Sequence, residues 1–237
     1  HFQIDEIIAP DESAPAIPIH TDLHEKAMSY ATVQRAVGKP VIQQISTWNI
    51  PSWITGEDSR LAARSFNSPE NSALAYIANQ SVLFQLNDPE NELYILKKIS
   101  DPDRQLTHIK VQQRKHGIDV FGGECWVHIK SKQPQSLTGR IFPLDQPMPS
   151  NFLSVEEAEQ IIKDQFDEKW KLESQVNMGY EVDQIKIKLN WYPIENEQEV
   201  KLAYVADVYP DFLHRHFIVI DAISGEIISN YLNMCFF

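Results

Sequence analysis

From Leu93 to Leu144 apolar and polar positions alternate with a period of two. Leu93, Ile95 and Lys97 alternate with Tyr94, Leu96 and Lys98. Ile109, Val111 and Gln113 oppose His108, Lys110 and Gln112, and Cys125, Val127 and Ile129 oppose Trp126 and His128. Such alternation marks strands that bury one face. Gly117 and Gly139 fall between runs, where turns need backbone freedom. The stretch predicts an antiparallel meander.

The period lengthens before this meander and again after it. Ser68 is placed to cap a helix whose first position is Pro69, and Ala73, Leu74, Ile77 and Ala78 mark its apolar face. Ser154-Val155-Glu156-Glu157 reads as a capping box, followed at helical spacing by Val155, Ala158, Ile161, Ile162, Gln165, Phe166 and Trp170. Alternation then resumes at Ile185, Ile187, Leu189 and Trp191, at Leu202, Tyr204, Ala206 and Val208, and at Phe217 and Val219. A closing hairpin at Asp221–Glu226 puts Gly225 where the turn needs positive φ. Helix then meander occurs twice. The prediction is an α+β fold of two tandem halves, each a curled antiparallel sheet around one helix. Residues 68–149 form the first half and 150–237 the second. Residues 1–67 read as an N-terminal extension, broken by Pro10, Pro15, Pro18, Pro40 and Pro51, with a short helix suggested over Leu23 to Val37.

Composition narrows the function classes. A chain of 237 residues, 43% of them hydrophobic, can bury a core of one or two domains. A net charge of -12 argues against a nucleic-acid or anionic-membrane partner, either of which needs clustered Lys and Arg. No apolar run is long enough to span a bilayer, and no basic-then-apolar leader stands at the start. Cys125 and Cys235 lie far apart and read as small buried residues rather than as a bridge.

Chemistry-bearing patterns are sparse. A zinc protease needs H-E-x-x-H, which sets two imidazoles on one metal with a base beside it, and this string does not occur. His20 and His24 have the i, i+4 spacing without the Glu and read as a solvated pair. His214 and His216 share one strand face and read as rim residues, with no Cys or carboxylate to complete a site. Cys125 sits in an apolar strand with no group to lower its pKa. Gly122-Gly123 is too short for a phosphate cradle and reads as a bulge or bend. Gln112 and Gln113 read as ordinary exposed strand residues, only one of which faces any given surface. No catalytic residue and no metal ligand is assigned.

One set of segments resembles a known family. Ala73 to Phe84, Leu86 to Leu93, His108-Ile109-Lys110-Val111-Gln112-Gln113 and Gly117-Ile118-Asp119-Val120-Phe121-Gly122-Gly123-Glu124 resemble the fungalysin/thermolysin propeptide module. Ser154 to Ala158 and Val219 to Ile227 are similar to the PepSY-like module that follows it in thermolysin-type precursors. Lys110 stands where the family motif usually carries Arg, and the first fifty or so residues match nothing in the family. The resemblance implies two cystatin-like halves forming the pro-region of a secreted or periplasmic M4-type zinc metalloprotease. That pro-region would be an intramolecular chaperone and inhibitor with no cofactor of its own, while the partner protease binds zinc and calcium. It marks Gln112, Gln113, Phe121, Gly122, Gly123 and Glu124 as protease-contacting. The tail residues Met234, Phe236 and Phe237 are expected in the active-site cleft. The alternative is a free-standing secreted binding or inhibitor module built on the same repeats.

Overall fold

The alternation read from the sequence becomes a run of hairpins in the computed structural model, which describes residues 39–62, 64–166, 185–209 and 214–234. In chain order the strands are β1 (Val41–Ile45), β2 (Pro51–Thr55), β3 (Leu93–Asp101), β4 (Leu106–Lys115), β5 (Ile118–Lys130), β6 (Gln133–Gly139), β7 (Ile185–Ile194), β8 (Glu199–Val208), β9 (His214–Asp221) and β10 (Ile227–Met234). The helices are α1 (Ser59–Ala62), α2 (Pro69–Ala78), α3 (Ser81–Phe84), α4 (Pro89–Glu92) and α5 (Val155–Asp164). The chain is α+β, with few helices against a large sheet of mostly antiparallel strands.

Neighbours in sequence pair first. β3, β4, β5 and β6 form the predicted meander, and β7, β8, β9 and β10 a second one. The tight β4–β5 turn uses His116 and Gly117, both at positive φ (52° and 79°), as a primed two-residue hairpin requires. The two meanders meet at one parallel bridge, Val120 on β5 against Trp191 on β7, which makes a single ten-stranded sheet.

Both helix starts form as their residues predict. The Ser68 hydroxyl accepts from Asn71 N at 3.2 Å with Pro69 in the first turn. Ser154 and Glu157 close a reciprocal capping box. α2 packs Ala73, Tyr76 and Ile77 onto Ile109, Val111 and Val127, and α5 sets Ala158 and Ile162 into the same contiguous core. Val155, expected on the buried face of α5, is exposed. It stands at the first position of the helix. Trp170 and the helix suggested over Leu23 to Val37 lie outside the described residues.

Within the stretch read as an N-terminal extension the structure places two strands. β1 pairs with β2, and β2 pairs with β6 through Trp53↔Thr138, Ile54↔Leu137 and Thr55↔Ser136. Trp48, Ile50, Ile54 and Leu61 are buried in the common core. Such side chains contribute roughly 1.5–3 kcal/mol each on burial, so residues 41–62 are part of the fold. Gly139, expected at a turn, instead ends β6 where a Cβ would lie 2.3 Å from Glu124 O. β10 continues through Asn233 and Met234, opposite Arg215 and His214.

A buried carboxylate fastens this N-terminal segment. The Asp58 side chain is fully buried and accepts from Arg60 Nε at 2.9 Å, Arg60 Nη2 at 2.6 Å and Gln80 Nε2 at 2.9 Å. Burial pushes its carboxyl pKa up, but the hydrogen bonds and charge of Arg60, with help from Asn79, outweigh this and hold it below the ordinary value. A depressed folded-state pKa stabilises fully above the unfolded value, and that contribution is lost as pH falls through the folded one. Asp58→Asn should therefore lower stability at neutral pH by about 1.5–3 kcal/mol. It should also flatten the loss of stability between about pH 5 and pH 2, measured by urea denaturation across that range. An unchanged acid limb would show that Asp58 does not drive it.

Candidate functional site

Opposite Gln112 the β4–β5 ladder is interrupted. Gln112 pairs with Glu124 and Arg114 with Asp119, so a step of two residues on β4 faces a step of five on β5. The extra residues, 120 to 123, bulge out of the ladder, and their carbonyls lose partners on β4. A buried carbonyl left unpaired costs on the order of 1–3 kcal/mol. The Gln112 side chain supplies the missing donor. Its Nε2 donates to Val120 O and Gln113 O, both at 2.8 Å, and to Gly123 O at 3.2 Å. Gln113 completes the node with a paired bond: Nε2 donates to Phe142 O at 2.8 Å while Oε1 accepts from Phe142 N at 2.9 Å. This reproduces one rung of a backbone ladder with a side chain.

The glutamines are therefore not surface groups. Gln112 is 6% and Gln113 2% exposed, where alternation predicted that one of the pair faced outward. Gln113 continues the buried face of Ile109 and Val111, and Gln112 turns inward to the bulge carbonyls. Gly123, beside them, is buried as well. The two glycines serve different needs. Gly122 sits at φ +67° with open space around a Cβ, so its requirement is conformational. At Gly123 a Cβ would lie 2.8 Å from Val120 Cβ, so its requirement is room.

What the bulge presents outward is Phe121 and Glu124. Phe121 is 38% exposed and packs against Tyr192 of β7 and Phe217 of β9, with ring centroids 5.4 and 5.5 Å away. Glu124 pairs with Lys110 at 2.5 Å, and Lys110 also lies 6.0 Å from the centroid of the Trp126 ring. Two further ties close the joint between the meanders. Trp191 Nε1 donates to Lys115 O at 3.1 Å, and Asp119 accepts from Tyr94 OH at 3.0 Å and Lys188 Nζ at 2.5 Å. Sequence reasoning missed Asp119, Tyr94 and Trp191 because their partners lie on different strands. A lone Asp inside an otherwise apolar run was the only cue.

The remaining candidates are dispersed. His216 packs its ring 4.9 Å from Phe166 and contacts Asn230 Oδ1 through Nδ1 at 3.0 Å, as a rim residue would. Cys125 is buried and free, and burial pushes its thiol up to about 12, which disfavours the thiolate. Phe236 and Phe237 lie outside the described residues, as do His20, His24 and Cys235. Among the described residues no three His, Cys, Asp or Glu gather as a metal cluster, and no helix is long and apolar enough to cross a membrane.

Three substitutions test the node. Gly122→Val should destabilise by about 1–3 kcal/mol through backbone strain. Gly123→Val should do so by about 1–3 kcal/mol through overpacking. Gln112→Ala, which orphans the bulge carbonyls, should cost at least ~1–3 kcal/mol. Chemical denaturation of each variant is the measurement, and unchanged midpoints would mean the bulge is not held as described.

No curated protein matches this chain. One solved structure similar to it is the Bacillus megaterium YpeB C-terminal domain, at 12% identity and a TM-score of 0.35 over 78% of this chain and 73% of that one. A likeness of that size carries no argument. The family comparison is more telling, because its span runs from just before β3, through both glutamines and the whole bulge, to the residue preceding Phe142. Over residues 91–141 the chain carries a match to the Fungalysin/Thermolysin Propeptide Motif.

Proposed function

We propose that this chain is the pro-region of a secreted or periplasmic thermolysin/fungalysin-like zinc metalloprotease, acting as its intramolecular chaperone and inhibitor. The match over residues 91–141 carries the reading, since propeptide domains of this kind are generally non-catalytic and accompany a protease domain. In this role the partner is an M4-type catalytic domain that binds its own zinc and calcium, and this chain contributes shape rather than chemistry. Two cystatin-like halves, 68–149 and 150–237, form the frame, with residues 41–62 added to the first.

The contact surface follows from what the frame leaves outward. Phe121 with Tyr192 and Phe217 offers a partly exposed aromatic patch, and the Glu124–Lys110 pair offers charge beside it. Gln112, Gln113 and Gly123 act through that surface by holding the bulge in shape. From the paired end of β10 at Met234, Phe236 and Phe237 reach into the protease cleft, where each gains roughly 1.5–3 kcal/mol on leaving water.

Micromolar chain should slow peptide hydrolysis by a thermolysin-like protease and should itself hydrolyse nothing. Unaltered protease activity would overturn the inhibitor reading and leave the free-standing binding module. Deleting residues 234–237 should weaken inhibition by about tenfold or more, with a much smaller effect on thermal stability. A truncated chain that inhibits as well as the full one would remove the tail from the interface.

A further inference from the structure

His108 on β4 and His128 on β5 are direct cross-strand partners. They lie on the sheet face opposite Ile109 and Val127, hence opposite the face that α2 covers. Their rings meet edge to face with centroids 4.9 Å apart, and the two Nδ1 atoms converge to 2.6 Å. Both residues are half-buried and reachable from solvent. On the far side of its ring, His128 Nε2 contacts Thr138 Oγ1 of β6 at 3.3 Å. That arrangement is two converging nitrogen donors, one of them steered by a hydroxyl through its other nitrogen, as in the outer shell of metal-binding histidines.

We propose that His108 and His128 form a cross-strand chelate for a divalent transition metal, selective for Cu2+ over Zn2+. The selectivity follows from the nitrogen separation. With metal–nitrogen bonds of about 2.0–2.1 Å, two cis ligands of a square-planar ion stand about 2.9 Å apart and two ligands of a tetrahedral ion about 3.3 Å. From 2.6 Å the square-planar geometry needs the smaller opening of the two rings. The order of divalent affinities for nitrogen sites points the same way. Copper replaces the proton shared between the two Nδ1 atoms. The ring that donated it takes its Nε2–H tautomer, so two neutral imidazoles bind with no net proton released. Along this face Lys110 pairs with Glu124 at 2.5 Å, and Lys130, two residues beyond His128 on β5, is exposed to solvent. Water fills the ion's remaining positions, leaving them open to a further ligand.

The test is Cu2+ titration of the full chain at about neutral pH, where His is largely unprotonated, followed by electron paramagnetic resonance and by amide broadening in NMR spectra. Substoichiometric Cu2+ should broaden the amides of His108, Trp126, His128 and Thr138 before any others, and the resonance should be axial with coupling to two imidazole nitrogens. His108→Asn and His128→Asn should each abolish this first equivalent. Thr138→Val should weaken it by about tenfold, and Zn2+ should compete at least about tenfold less well. The chain holds six other histidines. Broadening that starts at one of those, or a first equivalent that persists in both single variants, would overturn the proposal. The broadening pattern needs no variant, so the result stands even if a substitution impairs folding.

Discussion

The fold depends on one buried carboxamide. Where β5 leaves its ladder with β4, the carbonyls of Val120 and Gly123 lose their strand partners inside the protein, and Gln112 Nε2 takes both. An apolar residue at 112 would leave them dry and unpaired, a cost that a marginally stable domain does not readily absorb. With the carbonyls satisfied, the bulge can turn toward β7, and Val120 reaches Trp191 in the parallel bridge that joins the two meanders. Gln113 extends the node to Phe142, whose ring packs edge-on to Trp48 at 5.3 Å. One pair of adjacent glutamines therefore reaches both the second meander and the N-terminal hairpin.

This alters how the propeptide-like signature is understood physically. Its residues resemble a recognition motif because they are polar and glycine-rich within a strand, where such residues usually lie on the surface or weaken the ladder. Here each is consumed by the joint: a carboxamide for the carbonyls, a positive φ at Gly122, and absent volume at Gly123. Phe121, Gly122 and Glu124 turn outward far enough for a partner to reach. In the proposed inhibitory role, shape at the joint and contact at the surface are thus assigned to different residues of the same short segment.

The faces of the sheet divide the chemistry. Apolar side chains of β4 and β5 meet α2, while the opposite face carries His108, Lys110, Trp126 and His128. Polar groups on that second face find partners across strands rather than along them, as the Lys110–Glu124 and His108–His128 pairs illustrate. Direct cross-strand neighbours lie within side-chain reach of each other, so register alone decides which groups meet.

Local rules determined much of this protein from the sequence by itself. Both helix starts were legible because a cap acts within one turn, through Ser68 and Pro69 and through Ser154 and Glu157. The two meanders were legible because a half-buried strand imposes its period of two on adjacent residues. The motif matched over residues 91–141 was legible as a resemblance for the same reason of proximity. The tertiary structure decided the rest. β1 and β2 are short, proline-flanked and weakly patterned, and they become strands because Leu137 and Thr138 of β6, some eighty residues on, offer an edge. Gln112 reads as outward-facing by alternation, yet it is buried against a bulge of the neighbouring strand. The His108–His128 pair lay twenty residues apart with no pattern between them, and only β4–β5 register brought the rings together. Periodicity and capping are properties of contiguous residues. Register, bulges and the choice of partner strand are set by packing between segments, which no local stretch of sequence encodes.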